Sequence, residues 1–486
     1  MSTIQDLEPK IVWNNFYGIT RQPRPSKHEK KMRAYLLDWA REHDIEAFQD
    51  ETGNVILRKE ATPGYENRRG VILQGHMDMV PQKTGDSTHD FLTDPITTLI
   101  DGDWVTADRT TLGADNGIGV AMGLSVLEDK TLKHGPIEVL VTYDEETGMT
   151  GASALKPGIL QGDILINLDS EEEGELCVGC AGGLDASAEF KYRSYPSSAS
   201  YKALRISVKG LQGGHSGMDI SLYRANANKV MARILYPLIE TKGAKVASFN
   251  GGSLRNAIPF EAVAEVLLPE EEIQSARELI DKIFAEVRAE YVDSDPGATL
   301  FVEEIPVPAK YIQPSVMSRA IKALIACPSG VIRMSQSMPG LTETSTNLAI
   351  VRTEKGRMSI HSLMRSAVDS AKDDLALRIG CIFELAGADS ISFKGGYCGW
   401  TPKLDTPMNK VMMEQFKKVY GRDMKIMATH GGLECAIMGA KYPHWEMVSV
   451  GPTIKYPHSP DERVNIPSVA RTWDYLKAVL EAVPEK

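Results

Sequence analysis

The sequence is poor in cysteine, in long apolar stretches and in clustered basic residues. Six cysteines among 486 residues are too sparse for the disulfide framework that stabilises small secreted domains. No apolar run approaches the roughly 20 residues that cross a bilayer, and residues 1–10 lack the apolar centre of a signal peptide. The net charge is −11 without a basic block, which argues against nucleic-acid binding. We therefore expect a cytoplasmic globular protein with neither a membrane nor a nucleic-acid partner.

Cys177 and Cys180 form a C-x-x-C pair, a pattern found in zinc sites and redox pairs. A zinc ribbon needs a second pair at short range, and the other cysteines lie far away in the sequence. We therefore interpret the pair as two small residues in a glycine-rich loop.

The first part of the chain has the pattern of an α/β domain. Apolar runs of strand length at 71–75, 137–143 and 163–168 each end in polar or acidic residues. A helical stretch at 116–129 separates the first two runs. Strand, helix and strand in this order, with nearly continuous apolar strands, predict a parallel sheet covered on both faces.

The pattern changes after Gly183 and returns to α/β after Gly395. Between these glycines, strands and helices follow one another in a similar order twice, without a repeated sequence. A chain of this length also exceeds what one hydrophobic core usually organises. We predict an α/β fold whose mixed, mainly parallel sheet is flanked by helices and interrupted by an α+β domain. The outer domain would comprise 1–184 and 396–486, and the inserted domain 185–395.

Two histidines and five acidic residues fall where predicted strands end or helices begin. The carboxyl ends of parallel strands meet at one edge of a sheet, where α/β proteins place their functional sites. The seven residues are His76, Asp78, Asp115, Glu145, Glu146, Asp169 and His458.

Each of these residues alone has an ordinary structural explanation, such as helix capping by Asp115 or a solvated loop at Glu145 and Glu146. Together, carboxylates at one partly buried edge would repel each other by an energy on the order of several kcal/mol unless a cation lay between them. Histidine with carboxylates is a ligand set for zinc and related divalent metals. Five ligands suit two metals that share a bridging carboxylate, hold a water as hydroxide and polarise a carbonyl. Either glutamate could then be the general base.

Seven motifs, in order along the chain, resemble those of the aminoacylase and glutamate-carboxypeptidase type of zinc peptidases. They are GHMDMVP, TLGADNGIG, YDEETGMTGA, INLDSEEEGE, GGHSG, LRNAIP and GPTIKYPHSPDE. The resemblance extends from about residue 10 to residue 480 and is specific because all seven motifs occur in sequence order. It implies that the outer domain is a zinc-peptidase catalytic domain and that the inserted domain is a lid similar to a dimerisation domain.

The resemblance also implies a role for each residue at the predicted sheet edge. The metal ligands would be His76 and Asp169 for one Zn²⁺, Glu146 and His458 for the second, and Asp115 as the bridge between them. Asp78 would accept the ring N–H of His76 and orient it. Glu145 would be the general base that takes a proton from the bridging water.

In the lid, the resemblance implies that His215 stabilises the oxyanion and that Asn256 and Arg365 bind the carboxylate of the substrate. Gly432 would let the backbone approach the substrate closely. An arginine fork binds a carboxylate with two hydrogen bonds, and such a fixed clamp would reject longer peptides. In dimeric relatives the oxyanion histidine can come from the partner subunit. A lid of this size could also contain its own substitute, so a monomer and a homodimer, with His215 acting in cis or in trans, both stay open.

The implied function is hydrolysis of unblocked dipeptides, including Xaa-His and β-alanyl-histidine, with two Zn²⁺ per subunit and Co²⁺ or Mn²⁺ as substitutes. The alternative is a related zinc amidohydrolase that acts on tripeptides or N-acyl amino acids. A serine hydrolase, based on residues 214–217, and a nucleotide enzyme, based on the glycines at 117, 119 and 123, both have the wrong motif spacing. A non-catalytic binding protein on the same fold could lack the base, and Glu145 is present.

Overall fold

The computed structural model describes residues 3–486, which form two compact units. The first unit is the chain up to Gly179 with Pro402–Ala428 and Leu433–Lys486, and the second is Cys180–Thr401 with Thr429–Gly432. The sequence boundaries at 184/185 and 395/396 differ from this division by a few residues. They also assign the short segment at 429–432 to the outer domain, whereas it groups with the inserted unit.

The first part of the chain, through residue 180, contributes five helices and eight strands. They are α1 (Lys10–Thr20), α2 (Lys30–Glu42), β1 (Glu46–Gln49), β2 (Val55–Lys59), β3 (Val71–His76), β4 (Thr98–Asp101), β5 (Trp104–Ala107), α3 (Ala114–Glu128), β6 (Ile137–Thr142), α4 (Glu145–Gly148), α5 (Thr150–Ala154), β7 (Ile164–Asn167) and β8 (Glu175–Cys180).

The middle of the chain forms the second unit. Its elements are β9 (Gly182–Lys191), β10 (Ser194–Pro196), β11 (Tyr201–Lys209), β12 (Gly214–His215), α6 (Ala227–Lys242), β13 (Lys245–Gly251), β14 (Ala257–Ile258), β15 (Ala262–Pro269), α7 (Ile273–Glu290), β16 (Thr299–Ile305), β17 (Lys310–Ile312), α8 (Pro314–Ala326), β18 (Gly330–Met334), β19 (Thr342–Glu354), β20 (Arg357–Ser366), α9 (Asp369–Leu385) and β21 (Ser390–Tyr397).

The last part of the chain returns to the first unit. Its elements are α10 (Pro407–Tyr420), β22 (Lys425–Thr429), α11 (Glu434–Lys441), β23 (Glu446–Ser449), β24 (Ile454–Lys455), β25 (Arg463–Asn465) and α12 (Ile466–Glu481). Local chemistry defines the bounds of α10, because the Thr406 side chain accepts the Asn409 N–H at its start and Gly421 takes a left-handed conformation at its end.

The first unit is built on an eight-stranded sheet in the order β1-β2-β6-β3-β7-β23-β8-β22. The four central strands, β6, β3, β7 and β23, run parallel, whereas β2 pairs antiparallel with β6 and β8 pairs antiparallel with β23. Every residue of β3, β6 and β7 is buried, as expected for parallel strands covered on both faces. The predicted mixed sheet is confirmed, with its parallel part confined to the centre.

Helix α3 packs against this sheet through its glycines. A Cβ atom on Gly119 would lie 2.4 Å from the carbonyl oxygen of Leu168, and one on Gly123 would lie 3.0 Å from the Val139 side chain. Gly119 and Gly123 therefore allow the helix to pack closely on the strands. This packing explains their presence without a nucleotide-binding loop.

The second unit is an internal duplication. Its large sheet has the order β16-β11-β15-β13-β19-β20-β9-β21, with β18 paired to β19. The chain order of one half is β11-α6-β13-β15-α7-β16, and that of the other half is β9-α8-β19-β20-α9-β21. From the outer edge of the sheet inwards, the strands lie in the order β16-β11-β15-β13 in the first half and in the corresponding order β21-β9-β20-β19 in the second. The halves meet where β13 pairs with β19 and α6 packs on α8. The predicted twofold recurrence of a strand–helix–strand pattern is present. The sequence pattern started the second copy at 298–305, however, whereas those residues form β16 of the first copy and the second copy starts with β9.

The interpretation of Cys177 and Cys180 as loop residues is wrong. Both lie in strand β8, where the side chains are buried. Small residues in this strand allow close packing of the backbone, and the glycines around the pair obscured its strand character in the sequence.

Candidate metal centre

His76 ends strand β3, and its imidazole lies among three carboxylates. Its Nε2 atom is 2.9 Å from Asp115 Oδ1 and 3.5 Å from Asp169 Oδ1. Its Nδ1 atom is 3.3 Å from Asp78 Oδ1. The His76 side chain is only 1% exposed, so these carboxylates define its environment.

Asp115 lies in the first turn of α3, where its carboxylate faces two histidines. Oδ1 is 2.9 Å from His76 Nε2, and Oδ2 is 2.9 Å from His458 Nε2. The same His458 atom lies 3.1 Å from Glu146 Oε2. One carboxylate therefore joins two histidine–carboxylate groups, His76 with Asp169 and His458 with Glu146.

Asp78 is fully buried and lies between His76 and the start of α4, which carries the two glutamates. Its carboxylate accepts the backbone N–H groups of Glu145 at 3.0 Å and Glu146 at 3.2 Å, and the Ser26 hydroxyl at 2.8 Å. Burial opposes ionisation of Asp78, but hydrogen bonding and attraction to His76 outweigh it and lower its pKa to about 2. Asp78 is thus an ionised acceptor that binds the start of α4, and it lies beside the Nδ1 atom of His76.

Three overlapping groups of candidate ligand atoms lie at this edge of the sheet. The groups are His76, Asp115 and Asp169; His76, Glu145 and Glu146; and Asp115, Glu146 and His458. Ligands of one tetrahedral zinc ion, bound at about 2.0–2.2 Å, are roughly 3.3 Å from one another. The histidine–carboxylate distances of 2.9 to 3.5 Å match that spacing. Within residues 3–486, the buried atoms Glu146 Oε1 and Asp169 Oδ1 accept no hydrogen bond. The donor set therefore fits divalent metal ions.

Electrostatics at the cluster point to the same conclusion. Burial, together with the charge of Asp115, raises the pKa of Asp169 to about 7 despite the opposing charge of His76. Hydrogen bonds to Asp115 and Glu146 raise the pKa of His458 to about 11. Burial disfavours charged His76, yet the surrounding aspartates outweigh it and hold its pKa well above the usual value. Protons on these groups balance the crowded negative charge, and metal cations would displace them.

Glu145 is the glutamate of the pair whose protonation is most strongly perturbed. Burial raises its pKa well above the usual value, and repulsion from Glu434 and Asp169 adds to this effect, against the attraction of His76. A carboxylate with a raised pKa can accept a proton and return it near neutral pH. This property fits the general base predicted at this position.

Glu434 is a buried carboxyl group beside the cluster that sequence reasoning missed. Gln74 and Thr142 each donate to its Oε2 atom at 2.7 Å. Burial raises its pKa to about 7. The residue stands in the segment THGGLE, two positions after Gly432, but a single glutamate at the start of a helix gave no reason to select it.

A second group of buried carboxyls joins Asp78 to two residues that sequence reasoning missed, Glu29 and Asp144. Glu29 Oε1 accepts the backbone N–H groups of Lys27 at 3.0 Å and Asp144 at 3.1 Å, while its Oε2 is buried without a partner among residues 3–486. Burial raises the pKa of Glu29 to about 7. Glu29 therefore holds the backbone immediately before the two glutamates of the cluster.

In the second unit, the ring of His215 has a defined tautomer. Its Nδ1 atom accepts the backbone N–H groups of Gly217 at 3.2 Å and Met218 at 3.1 Å, so the proton is assigned to Nε2. Burial and the charge of Arg365 lower the pKa of His215, which favours the neutral ring. Ser216 is buried and its Oγ lies 3.5 Å from Arg365 Nε, an arrangement that provides no base for a serine nucleophile.

Arg365 is buried. Its Nη1 atom donates to Tyr397 Oη at 3.3 Å. Tyr397 was not singled out in the sequence. It explains why residue 432 is a glycine, because a Cβ atom on Gly432 would lie 3.0 Å from the Tyr397 ring. The backbone carbonyl of Asn256 accepts the Ser216 N–H at 2.8 Å, and its side chain is exposed. The second unit thus brings Arg365 and Asn256 to Ser216, the residue after His215, and brings Gly432 to Tyr397.

The chain belongs to the peptidase family M20/M25/M40, whose profile matches residues 72–232 and 255–482. A second profile, the peptidase dimerisation domain, matches residues 206–295. Two relatives cover the whole chain. The cytosol non-specific dipeptidase of Escherichia coli strain K12 is 41% identical over 486 residues, which is 100% of each chain. The crystal structure of aminoacylhistidine dipeptidase from Vibrio alginolyticus is 46% identical, with a TM-score of 0.95, and the match covers 100% of this chain and 99% of that one.

A more distant structure shows the fold alone. A tripeptidase from Staphylococcus aureus is 15% identical with a TM-score of 0.56, and the match covers 98% of this chain and 99% of that one. Among residues 3–486, no helix has the length and apolar character needed to cross a membrane.

Proposed function

We propose that this protein is a cytosolic metallo-dipeptidase that hydrolyses unblocked dipeptides and uses two divalent metal ions, with Zn²⁺ as the expected pair. The observation that carries the proposal is the carboxylate of Asp115, whose two oxygens face His76 and His458. Each histidine has a further carboxylate beside it, as two neighbouring ions with one shared ligand would require. The names of the E. coli and Vibrio relatives support dipeptides as substrates.

The proposed metal ligands are the five residues of the cluster that carry these contacts. His76 and Asp169 would hold one ion, Glu146 and His458 the other, and Asp115 both. When bound, such a pair activates a water molecule and polarises the scissile carbonyl group. The unpartnered oxygens of Glu146 and Asp169 support their assignment as ligands.

Glu145 is proposed to move the proton during hydrolysis. Its carboxylate takes a proton from the attacking water and delivers it to the leaving amine nitrogen, which cannot depart as an anion. The raised pKa of Glu145 supports this role, because a strongly acidic carboxyl would neither accept the proton readily nor return it. Asp78, which accepts the Glu145 N–H, would keep the base in place.

His215 is proposed to stabilise the negative charge that develops on the carbonyl oxygen. Its neutral tautomer presents an Nε2–H donor, because Nδ1 already accepts two backbone N–H groups. Arg365, together with Asn256, would bind the carboxylate of the substrate, and Tyr397 fixes the orientation of the guanidinium. Gly432 would contribute by admitting the Tyr397 ring rather than by direct contact with substrate.

A panel of peptides tests the proposed substrate class. We expect hydrolysis of free dipeptides, including Xaa-His and β-alanyl-histidine, little hydrolysis of tripeptides, and no activity after chelation. The measurement is product analysis for each peptide with and without EDTA, and N-acetylated amino acids serve as the matched blocked substrates. Efficient cleavage of N-acetylated amino acids or tripeptides, without cleavage of dipeptides, would replace the proposal with the alternative amidohydrolase.

A further inference from the structure

The carboxylate of Glu462 accepts four consecutive backbone N–H groups at the start of α3. Oε2 accepts those of Leu112 at 2.8 Å and Gly113 at 3.0 Å, and Oε1 accepts those of Ala114 at 2.7 Å and Asp115 at 3.2 Å. The first N–H groups of a helix have no partner within it, and here one buried side chain satisfies them. The conformation of Asp115 is therefore fixed by a residue far away in the sequence.

Arg24 binds the same segment from the other side. Its Nη1 atom donates to the carbonyl oxygens of Met77 at 3.0 Å and Asp78 at 2.7 Å, and its Nη2 atom donates to that of Gly113. Arg24 is 2% exposed. Gly113 is thus bound at its N–H by the buried Glu462 side chain and at its carbonyl by the buried Arg24 guanidinium. The guanidinium also ties this segment to the end of β3.

Glu462 and His458 stand in one loop of the first unit. The N–H of Glu462 donates to the carbonyl of Ser459 at 3.1 Å, which keeps the loop in a turn. Glu462 consequently connects the loop of His458 to Asp115, and Arg24 connects Asp115 to the segment that follows His76. Two buried side chains, Glu462 and Arg24, thus bind the backbone at the start of α3, and each also ties that backbone to a chain segment next to a candidate histidine ligand.

We propose that Glu462 and Arg24 are positioning residues that set the orientation of Asp115 for metal binding. This inference rests on the proposed metal centre. A carboxylate that serves two ions must direct each oxygen correctly, and small rotations of the helix start would move both. Loss of this support is expected to weaken metal binding by about 10- to 100-fold, the range typical for groups that orient ligands.

Glu138 provides a matched control in the same unit. It is also buried, its Oε2 accepts the N–H groups of Gln161 at 2.7 Å and Gly162 at 2.9 Å, and its Oε1 lies 3.0 Å from Arg58 Nε. It lies near the start of β6, whereas the metal cluster is at the opposite end of the parallel strands. Glu138→Gln should therefore weaken the fold without altering the cluster.

The experiment compares Glu462→Gln with Glu138→Gln and the natural protein. Each protein is stripped of metal, titrated with Zn²⁺ against a competing chelator, and loaded with Co²⁺ for its visible absorption spectrum. We expect both variants to lose thermal stability, but only Glu462→Gln to bind Zn²⁺ at least tenfold more weakly and to change the Co²⁺ spectrum. Equal Zn²⁺ affinity and an unchanged spectrum in Glu462→Gln would overturn the proposal.

Arg24→Lys is the second variant and applies if Glu462→Gln does not fold. A lysine ammonium cannot reach both carbonyl segments as the arginine fork does, so weaker Zn²⁺ binding with a changed Co²⁺ spectrum is again expected. Unchanged Zn²⁺ binding in Arg24→Lys would count against the proposal. If the natural protein itself binds neither metal, the proposed metal centre fails. If it binds two ions and the variants bind them equally well, only the positioning inference fails.

Discussion

Glu145 and Glu146 are adjacent in the sequence, yet their surroundings differ. Glu146 Oε2 lies 3.1 Å from His458, whereas Glu145 has a pKa raised well above its usual value by burial and by neighbouring carboxylates. We predict that Glu145→Gln retains two metal ions and loses roughly 10²- to 10⁴-fold in kcat, since an amide cannot relay the proton. Metal analysis and steady-state kinetics on a dipeptide measure both quantities. A kcat close to that of the natural protein would remove Glu145 from the role of base.

Glu29 supplies a prediction about stability. Its pKa is about 7 in the folded protein and 4.5 in the reference state, so the folded protein holds an extra proton between these values. The contribution of Glu29 to the free energy of unfolding is therefore most favourable below pH 4.5, and it is lost as the pH rises through 7. We compare the free energy of unfolding of Glu29→Gln with that of the natural protein. This difference should favour the variant by on the order of 2–3 kcal/mol more at pH 8 than at pH 5.

Urea denaturation of chelated protein at pH 5 and pH 8 measures this difference for Glu29→Gln. The glutamine oxygen can still accept the two backbone N–H groups that Glu29 accepts. Glu60→Gln, at an exposed position, is the control and should show no such pH-dependent gain. Parallel pH profiles for Glu29→Gln and the natural protein would contradict the prediction.

Side chains whose partners are backbone groups could not be identified from the sequence. Glu462 lies in the quoted motif GPTIKYPHSPDE, but its four partners are backbone N–H groups, which leave no trace in residue identity. Tyr397 was missed for a related reason, because its importance depends on the close approach of Gly432. The seven residues at the sheet edge could be selected, since strand ends and charge are both readable in a sequence.

At the level of elements, the apolar strands were predicted most accurately. The runs at 71–75 and 137–143 correspond to β3 and β6, and the stretch at 116–129 corresponds to α3 within two residues at its start. Strand β8 was missed because glycine and cysteine dominate its second half and resemble a loop. The edge strand β1 and its neighbour β2 are short and only partly apolar, so they lack the continuous run that marks the central strands.

The paired elements of the second unit lead to a prediction about oligomers. β13 pairs with β19 of the same chain, and α6 packs on α8, so the half that carries His215 is already covered by its internal counterpart. We therefore expect His215 to act in cis and the rate per chain to stay constant between about 1 μM and about 1 nM protein. Activity per chain is measured on a dipeptide across this dilution series.

Mixing two inactive variants provides the control for the dilution experiment. Glu145→Gln retains His215, and His215→Ala retains the base. If a partner subunit supplied the histidine, mixed dimers would recover activity, whereas action in cis predicts none. Recovered activity, or a rate per chain that falls on dilution, would show that the active form is a homodimer.

The proposed activity of the whole protein depends on two metal ions in the cluster of the first unit. The most direct measurement is a stepwise return of Zn²⁺ to the chelated protein, with bound zinc per chain and dipeptide hydrolysis followed together. We predict that hydrolysis is absent without metal and is complete only when two ions are bound, because Asp115 faces a histidine–carboxylate group on each side. Full hydrolysis by metal-free protein, or saturation of binding at fewer than two ions per chain, would contradict the account.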